Sequence, residues 1–219
     1  SWICSSLYIV SVNQVSLLIF LLIISIPSIY IFYTNKNKFI SFFKNHKNVI
    51  ILTESIWIVV FLLWLIYRSF DPSINHTEQP MDHGLLTSSI KTTIGSPKDI
   101  WLSSYNVNYY YFGYWMMGII AKISQTPPQI AYNLSLALIP ALTSSAIFGL
   151  LSNISQSLPN RKLNLTIIGF TTFSFVNISS NLEPVLELLN SLKLLPGRFL
   201  SWIDISGLIT KLPDSLASL

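Results

Sequence analysis

Charge is scarce in this chain. Only 10% of its 219 residues are Asp, Glu, Lys or Arg, against about 25% in an ordinary soluble domain. That shortage excludes a disordered chain, a coiled coil and an ordinary soluble fold. With 51% apolar residues and a mean hydropathy of +0.56, it indicates an integral membrane protein with the lipid bilayer as its partner. Cysteine is nearly absent too. Cys4 stands alone, so no internal disulfide can form, and no Cys/His cluster suggests zinc. A net charge of +4 is too small and too scattered for a nucleic-acid surface. In a membrane protein such an excess reports orientation. No segment alternates polar and apolar residues as a barrel strand does, so the spanning elements are expected to be helical. The first apolar run lacks a small-residue cleavage site and is too long for a signal-peptide core. The chain begins at Ser1 without Met and stops at Leu219 after a half-polar segment. It therefore reads as a portion of a larger protein whose remainder is missing.

What is present is a series of long hydrophobic runs. A helix of about 20 apolar residues crosses a bilayer. On that measure spans are expected at 7–33, 49–67, 109–123, 130–151 and 163–176. The fold class is all-α: a polytopic transmembrane helical bundle of about five spans, treated as one partial domain over 1–219. Residues 34–48 carry Lys36, Lys38, Lys44 and Lys47 with no acid. The positive-inside rule makes that loop cytoplasmic and the long loop 68–108 external. Strict alternation then puts Arg161 and Lys162, after the fourth span, outside, against the same rule. Residues 177–219 mix charge with leucines at helical spacing and read as an amphipathic tail.

Polar chemistry is concentrated in 68–108, which holds Asp71, Glu78, Asp82, Asp99, His76 and His83 with Arg68 at its start. Pro80 suits a first helical position, with Thr77 or Glu78 as cap. A short helix to about Thr93 would place Leu86, Ile90 and Ile94 on one face, laid on the membrane, with Asp82 at the start of that stripe. Pro80 leaves open whether Glu78 shares the face. Two carboxylates beside an Arg suit general-base activation of a hydroxyl while a cation holds a phosphate. They also suit a divalent cation, or plain stabilisation of a helix N-terminus. Trp101 opens an aromatic run through Tyr109, Tyr110 and Tyr111 to Trp115. It reads either as an interfacial belt or as a platform facing sugar or lipid. Asn75-His76-Thr77 is a formal glycosylation sequon. Glu54 lies within the second expected span, one to two turns from its start.

The stretches Thr77 to Asp82, Asp99-Ile100-Trp101-Leu102-Ser103, Asn108 to Tyr114 and Pro127 to Leu134 carry a resemblance. From Arg68 to Leu151 the chain resembles the Chlor_Arch_YYY family of multi-span membrane proteins. That family is grouped with the GT-C glycosyltransferases, which take a sugar from a polyprenyl-phosphate donor at the outer membrane face. The resemblance implies a GT-C-like partial module with Asp82 as base or metal ligand, Glu78 as its partner and Arg68 as a phosphate contact. Its partner would be a polyprenyl-phosphate-linked sugar, and any divalent cation would sit on Asp82 and Glu78. His83, Asp99, Trp101, Tyr109, Tyr110 and Tyr111 complete the candidate substrate-binding set. The chain departs from the family pattern at Ile100, Ser104 and Ser180 without losing a candidate group. Two other readings stand beside this one. A carrier or flippase would need Glu54 in a cavity. A non-catalytic scaffold subunit would use the aromatic run for packing.

Overall fold

The computed structural model describes residues 1–102, 104–157 and 164–179, with the single positions 186, 189, 194, 196 and 199. The connection bearing Arg161 and Lys162, and nearly all of the expected tail from residue 180 on, lie outside the described residues. Among the described residues every regular element is helical, and the one extended pairing is an isolated bridge between Lys98 and Asn106. The chain divides into two compact units, Ser1–Ser152 and Asn153–Leu219.

The first unit opens with a short helix, α1 (Trp2–Ser6), followed by α2 (Gln14–Thr34). Asn13 starts α2 through a reciprocal cap. Its side-chain oxygen accepts from the Ser16 amide at 2.9 Å, and its own amide donates to Ser16 Oγ at 3.0 Å. After a one-residue break at Asn35 comes α3 (Lys36–Asn45), and after His46 comes α4 (Lys47–Phe70). Pro72 disfavours helix at Asp71, where the backbone turns extended (φ −142°, ψ 84°), so α4 ends there. Two shorter helices follow, α5 (Gln79–Lys91) and α6 (Phe112–Ser124). Gln125 closes α6 in the left-handed conformation (φ 56°), and Pro128, whose missing N–H costs nothing at a helix start, opens α7 (Pro128–Ser157).

Three of these helices, α2, α4 and α7, are long and apolar enough to cross a membrane. Apolar side chains surround α2 and much of α4, and most of them are exposed, which suits helices solvated by lipid. The expected third span behaves differently. α6 has 13 residues, about 20 Å of helix against a hydrocarbon core of about 30 Å. Both of its ends also sit by the N-terminal segment. Phe112 packs on Trp2 at 5.3 Å between centroids, and the Ile123 carbonyl accepts from Gln14 at the head of α2. α6 thus runs alongside the N-terminal segment, from Trp2 at its start to the head of α2 at its end, and is not among the helices long enough to cross. The expected cytoplasmic loop 34–48 is mostly the helix α3.

Two apolar clusters hold the unit together. Leu86, Ala121, Ala131 and Tyr132 form one, joined by Ile90, Tyr114 and Met117. Val12, Leu17 and Trp115 form the other, joined by Trp2 and Tyr111. The Leu86–Ile90 stripe of α5 therefore faces α6 and α7 rather than lying on the membrane, and Ile94 falls beyond the helix. Gly118 permits this approach, because a Cβ there would stand 3.2 Å from the Ser89 Cβ. The second unit includes α8 (Leu165–Ser174), capped by Asn164 and continued by a π-turn over Phe175–Ser179. This is the expected fifth span, and its apolar length, Leu165–Ile178, is again short of a bilayer core.

Candidate functional site

Arg68 ends α4 and ties the polar segment to two other elements. Its Nε donates to Asn133 Oδ1 of α7 at 2.6 Å. Its Nη2 donates to the Ser73 carbonyl at 2.6 Å and to Gln79 Oε1 at the start of α5 at 3.4 Å. Nη1 has no partner among the described residues. The Asn133 amide reaches back to the Pro72 carbonyl at 3.2 Å. Between Arg68 and α5 the chain makes a polar knot. Asp71 accepts from the Ser73 hydroxyl and amide and pairs with His76 Nε2 at 2.7 Å. The Ser73 hydroxyl, then His76, hold this exposed carboxyl well below its usual range, at about 2.

α5 starts where expected. Glu78 is its N-cap, exposed and without a side-chain cap bond, and Pro80 lies in the first turn. The helix runs through Pro80, so Glu78 and Asp82 are one turn apart, a spacing at which Cβ atoms are about 5–6 Å distant. Asp82 is half-buried and accepts from the Tyr114 hydroxyl of α6 through Oδ1. Its Oδ2 takes no hydrogen bond from the described residues. Burial, then the hydrogen bond to Asp82 and the Asp82 charge, push the Tyr114 phenol well above its ordinary value, with Tyr132 and Tyr109 adding to the effect. Tyr114 thus stays protonated and donates throughout the physiological range. His83 packs on the Tyr132 ring at 5.9 Å, with its Nε2 sealed from solvent and without a hydrogen-bond partner among the described residues.

The segment from α5 to α6 is anchored from the N-terminus. The Gly95 amide donates to the Ser5 carbonyl at 3.0 Å and the Val12 amide to Thr93. Gly95 has φ +74° with the Tyr8 hydroxyl 2.9 Å from where a Cβ would be, so only glycine fits. Asp99 accepts from the amides of Trp101 and Leu102 at 2.8 and 2.9 Å, which lowers its pKa and fixes the turn. Both of these bonds use Oδ1. Trp101 and Tyr110 are 75% and 84% exposed, while Tyr109 stacks edge-on with Tyr110 at 5.1 Å. Tyr111 is drawn inward and shares a hydrogen bond with Ser96. Lys122 is half-buried, bonded to the carbonyls of Val12 and Thr92, and burial lowers its pKa to about 8.

Beside the polar groups runs an apolar groove of 190 Å³ between α4, α6 and α7, lined among others by Trp57, Phe61, Met117, Ala131 and Leu138. Met117 is one turn along α6 from Tyr114. Phe61 is two turns along α4 from Arg68, about 10 Å by helical rise. The groove therefore lies one helical turn from Tyr114 and two turns from Arg68.

The family described as uncharacterized membrane protein (DUF2298) matches residues 1–202. The chain belongs to this family. No curated protein and no solved structure matches it significantly. Membership in DUF2298 agrees with the reading of an integral membrane protein and names no reaction.

Within this DUF2298 chain the candidate residues separate into groups. Asp82 and Arg68 stand at the first turn of α5, with Gln79 between them in sequence. Trp101, Tyr109 and Tyr110 offer exposed rings, whereas Asp99, His83 and Tyr111 are occupied in turns and packing. Among the described residues no three His, Cys, Asp or Glu side chains gather in one place. Sequence reasoning missed Tyr114, Gln79, Asn133 and the groove. Gln79, Tyr114 and Asn133 lie in stretches that the sequence singles out, but nothing in those stretches tells which polar side chain meets Asp82 or Arg68.

Proposed function

We propose that this chain is the substrate-handling part of a GT-C type membrane glycosyltransferase that moves a sugar from a polyprenyl-phosphate donor to an acceptor hydroxyl at the outer membrane face. The observation that carries the reading is an apolar groove that lies one helical turn from the tyrosine holding the Asp82 carboxylate and two turns from the half-engaged Arg68 guanidinium. A donor of this class has a hydrocarbon tail, a phosphate and a sugar, and needs those environments in that order. The resemblance of residues 68–151 to the Chlor_Arch_YYY proteins supports the same class.

In this reading Asp82 Oδ2 takes the proton of the acceptor hydroxyl. The acceptor oxygen attacks the anomeric carbon, and the bond from that carbon to the phosphate oxygen breaks. Polyprenyl phosphate leaves with the negative charge, which Arg68 Nη1 meets, and the anomeric configuration inverts. Tyr114 is a positioning residue that holds the carboxylate through Oδ1. Trp101, Tyr109 and Tyr110 give faces against which sugar rings pack. A divalent cation held here would have Glu78, Asp82 and the donor phosphate as ligands, since the protein alone does not supply a cage. Glu54 is exposed on α4 and does not line the apolar groove, which disfavours the carrier reading.

The test uses the complete protein in lipid nanodiscs with a panel of polyprenyl-phosphate sugars, read by mass spectrometry of the donor. Asp82→Asn is expected to lower turnover by about 10²–10⁴-fold, the usual share of a general base. Tyr114→Phe is expected to lower kcat about ten- to a hundredfold with KM little changed, the worth of a hydrogen bond to a charged group. Turnover that survives Asp82→Asn removes the site but keeps the class. Turnover of no donor removes the class.

A further inference from the structure

The segment between the first two crossing helices is the part of the molecule that the transferase reading leaves unused. Its sequence separates by face. At 100° per residue, Phe39, Ile40, Phe42 and Phe43 of α3 gather on one side, while Asn37, Ser41, Lys44 and Asn45 gather on the other. Lys36 and Lys47 flank the apolar side at the two ends. The structure leaves Ile40, Phe42 and Phe43 exposed, at 40%, 52% and 53%. All four lysines, Lys36, Lys38, Lys44 and Lys47, are exposed, and among the described residues none is in an ion pair. Two one-residue breaks, at Asn35 and His46, set α3 off from α2 and α4. The breaks are held by local bonds from the Asn35 amide side chain to the Ile31 carbonyl and from the His46 ring to the Phe42 carbonyl.

The place of α3 follows from its neighbours. α2 and α4 have 21 and 24 residues, about 31 and 36 Å of helix, so each fills a hydrocarbon core without borrowing from α3. Four ammonium groups do not enter that core. The helix is thus held at the membrane surface at both ends, with Ile40, Phe42 and Phe43 exposed on one side and four lysines that, among the described residues, are in no ion pair. Charge complementarity names the occupant. A surface with four cations and no anion within 34–48 fits anionic head groups, and its apolar side fits the region just beneath them.

We infer that α3 lies in the membrane interface and binds anionic phospholipid head groups through Lys36, Lys38, Lys44 and Lys47, with its phenylalanines set among the upper acyl chains. The inference stands on the crossing helices alone and not on the transferase reading. It makes α3 a lipid-reading element that fixes the depth of α2 and α4.

The experiment measures retained lipid on the full chain. The protein is reconstituted with a phosphatidylcholine and phosphatidylglycerol mixture, extracted in mild detergent, and its bound lipids are counted by native mass spectrometry. Wild type is expected to keep phosphatidylglycerol in preference to phosphatidylcholine. Each Lys→Gln change is expected to weaken that preference about fivefold, and the quadruple Lys→Gln variant to abolish it. The quadruple Lys→Arg variant is expected to retain it. Raising the salt concentration on wild type is expected to weaken it without any substitution, which serves if the quadruple variant does not fold. A fluorescent label at Phe42→Cys, in a Cys4→Ser background, is expected to report an apolar surrounding in nanodiscs, and one at Asn45→Cys an aqueous one. Equal retention of both lipids by wild type, insensitivity to salt, or a water-like signal at position 42 would overturn the inference.

Discussion

Asp71 and Asp82 are eleven positions apart and their environments differ in kind. Asp82 is held by a phenol inside a helix pair, whereas Asp71 is exposed and shaped by its own loop. The Asp71 pKa is depressed in the folded chain, from 3.8 to about 2. Its contribution to loop order is therefore fully present above about pH 4 and is lost as pH falls toward 2. The Ser73 hydroxyl is the largest cause and His76 the next. Ser73→Ala is expected to raise the Asp71 pKa more than His76→Gln does, read by carboxyl carbon NMR on chain labelled at Asp. The reverse order would show that the His76 pair, and not the turn, shapes the loop.

At the scale of elements, the α5–α6 pair decides where the chemistry sits. A Cβ at Gly118 would meet Ser89 Cβ at 3.2 Å and the Ile90 backbone nitrogen at 3.4 Å, while one at Gly113 meets nothing within 4 Å. Gly118→Val is expected to cost about 1–3 kcal/mol and Gly113→Val about 0.5 kcal/mol or less, measured by unfolding in mixed micelles. Equal costs would remove the close helix contact. Much of this level was legible in the sequence. The start of α5 at Glu78 and Pro80, the stripe through Leu86 and Ile90 and the place of Asp82 on it follow from cap chemistry and a 3.6-residue period. The partner of that stripe did not follow, because an apolar face reads the same whether it meets lipid or another helix. The length of α6 was misread for a related reason. Tyr109 to Tyr111 are apolar enough to extend a hydropathy window, yet they form the turn before the helix. At the site, Asp82 and Arg68 could be picked out as charges near a membrane, but Tyr114, Gln79 and Asn133 become partners only through tertiary packing. The local contacts of Asp99 and His83 were equally hidden, since a carboxylate that caps a turn and one that faces solvent have the same formula.

For the whole molecule, the number of crossings sets which ends share a side. With α2, α4 and α7 as the crossing helices, α1 and the segment after α4 lie on one side. This agrees with the Ser5–Gly95 and Val12–Thr93 bonds that join them. The end of α7 then falls on the side of α3. Single cysteines at Ser41 and Ser157, in a Cys4→Ser background, are expected to react with an impermeant maleimide from the same side of sealed vesicles, and one at Asn75 from the other. Labelling of Ser157→Cys together with Asn75→Cys would restore a fourth crossing. The clasp between α1 and Gly95 also has a meaning in time. Ser5 and Gly95 are separated by 90 positions, so at about 5–20 residues per second Ser5 waits roughly 5–18 s for its partner to be synthesised. During that wait α2 and α4 pass into the bilayer with Trp2 and Val12 uncovered, so the N-terminal segment has to be shielded by lipid or by the insertion machinery until the polar segment arrives to cover it.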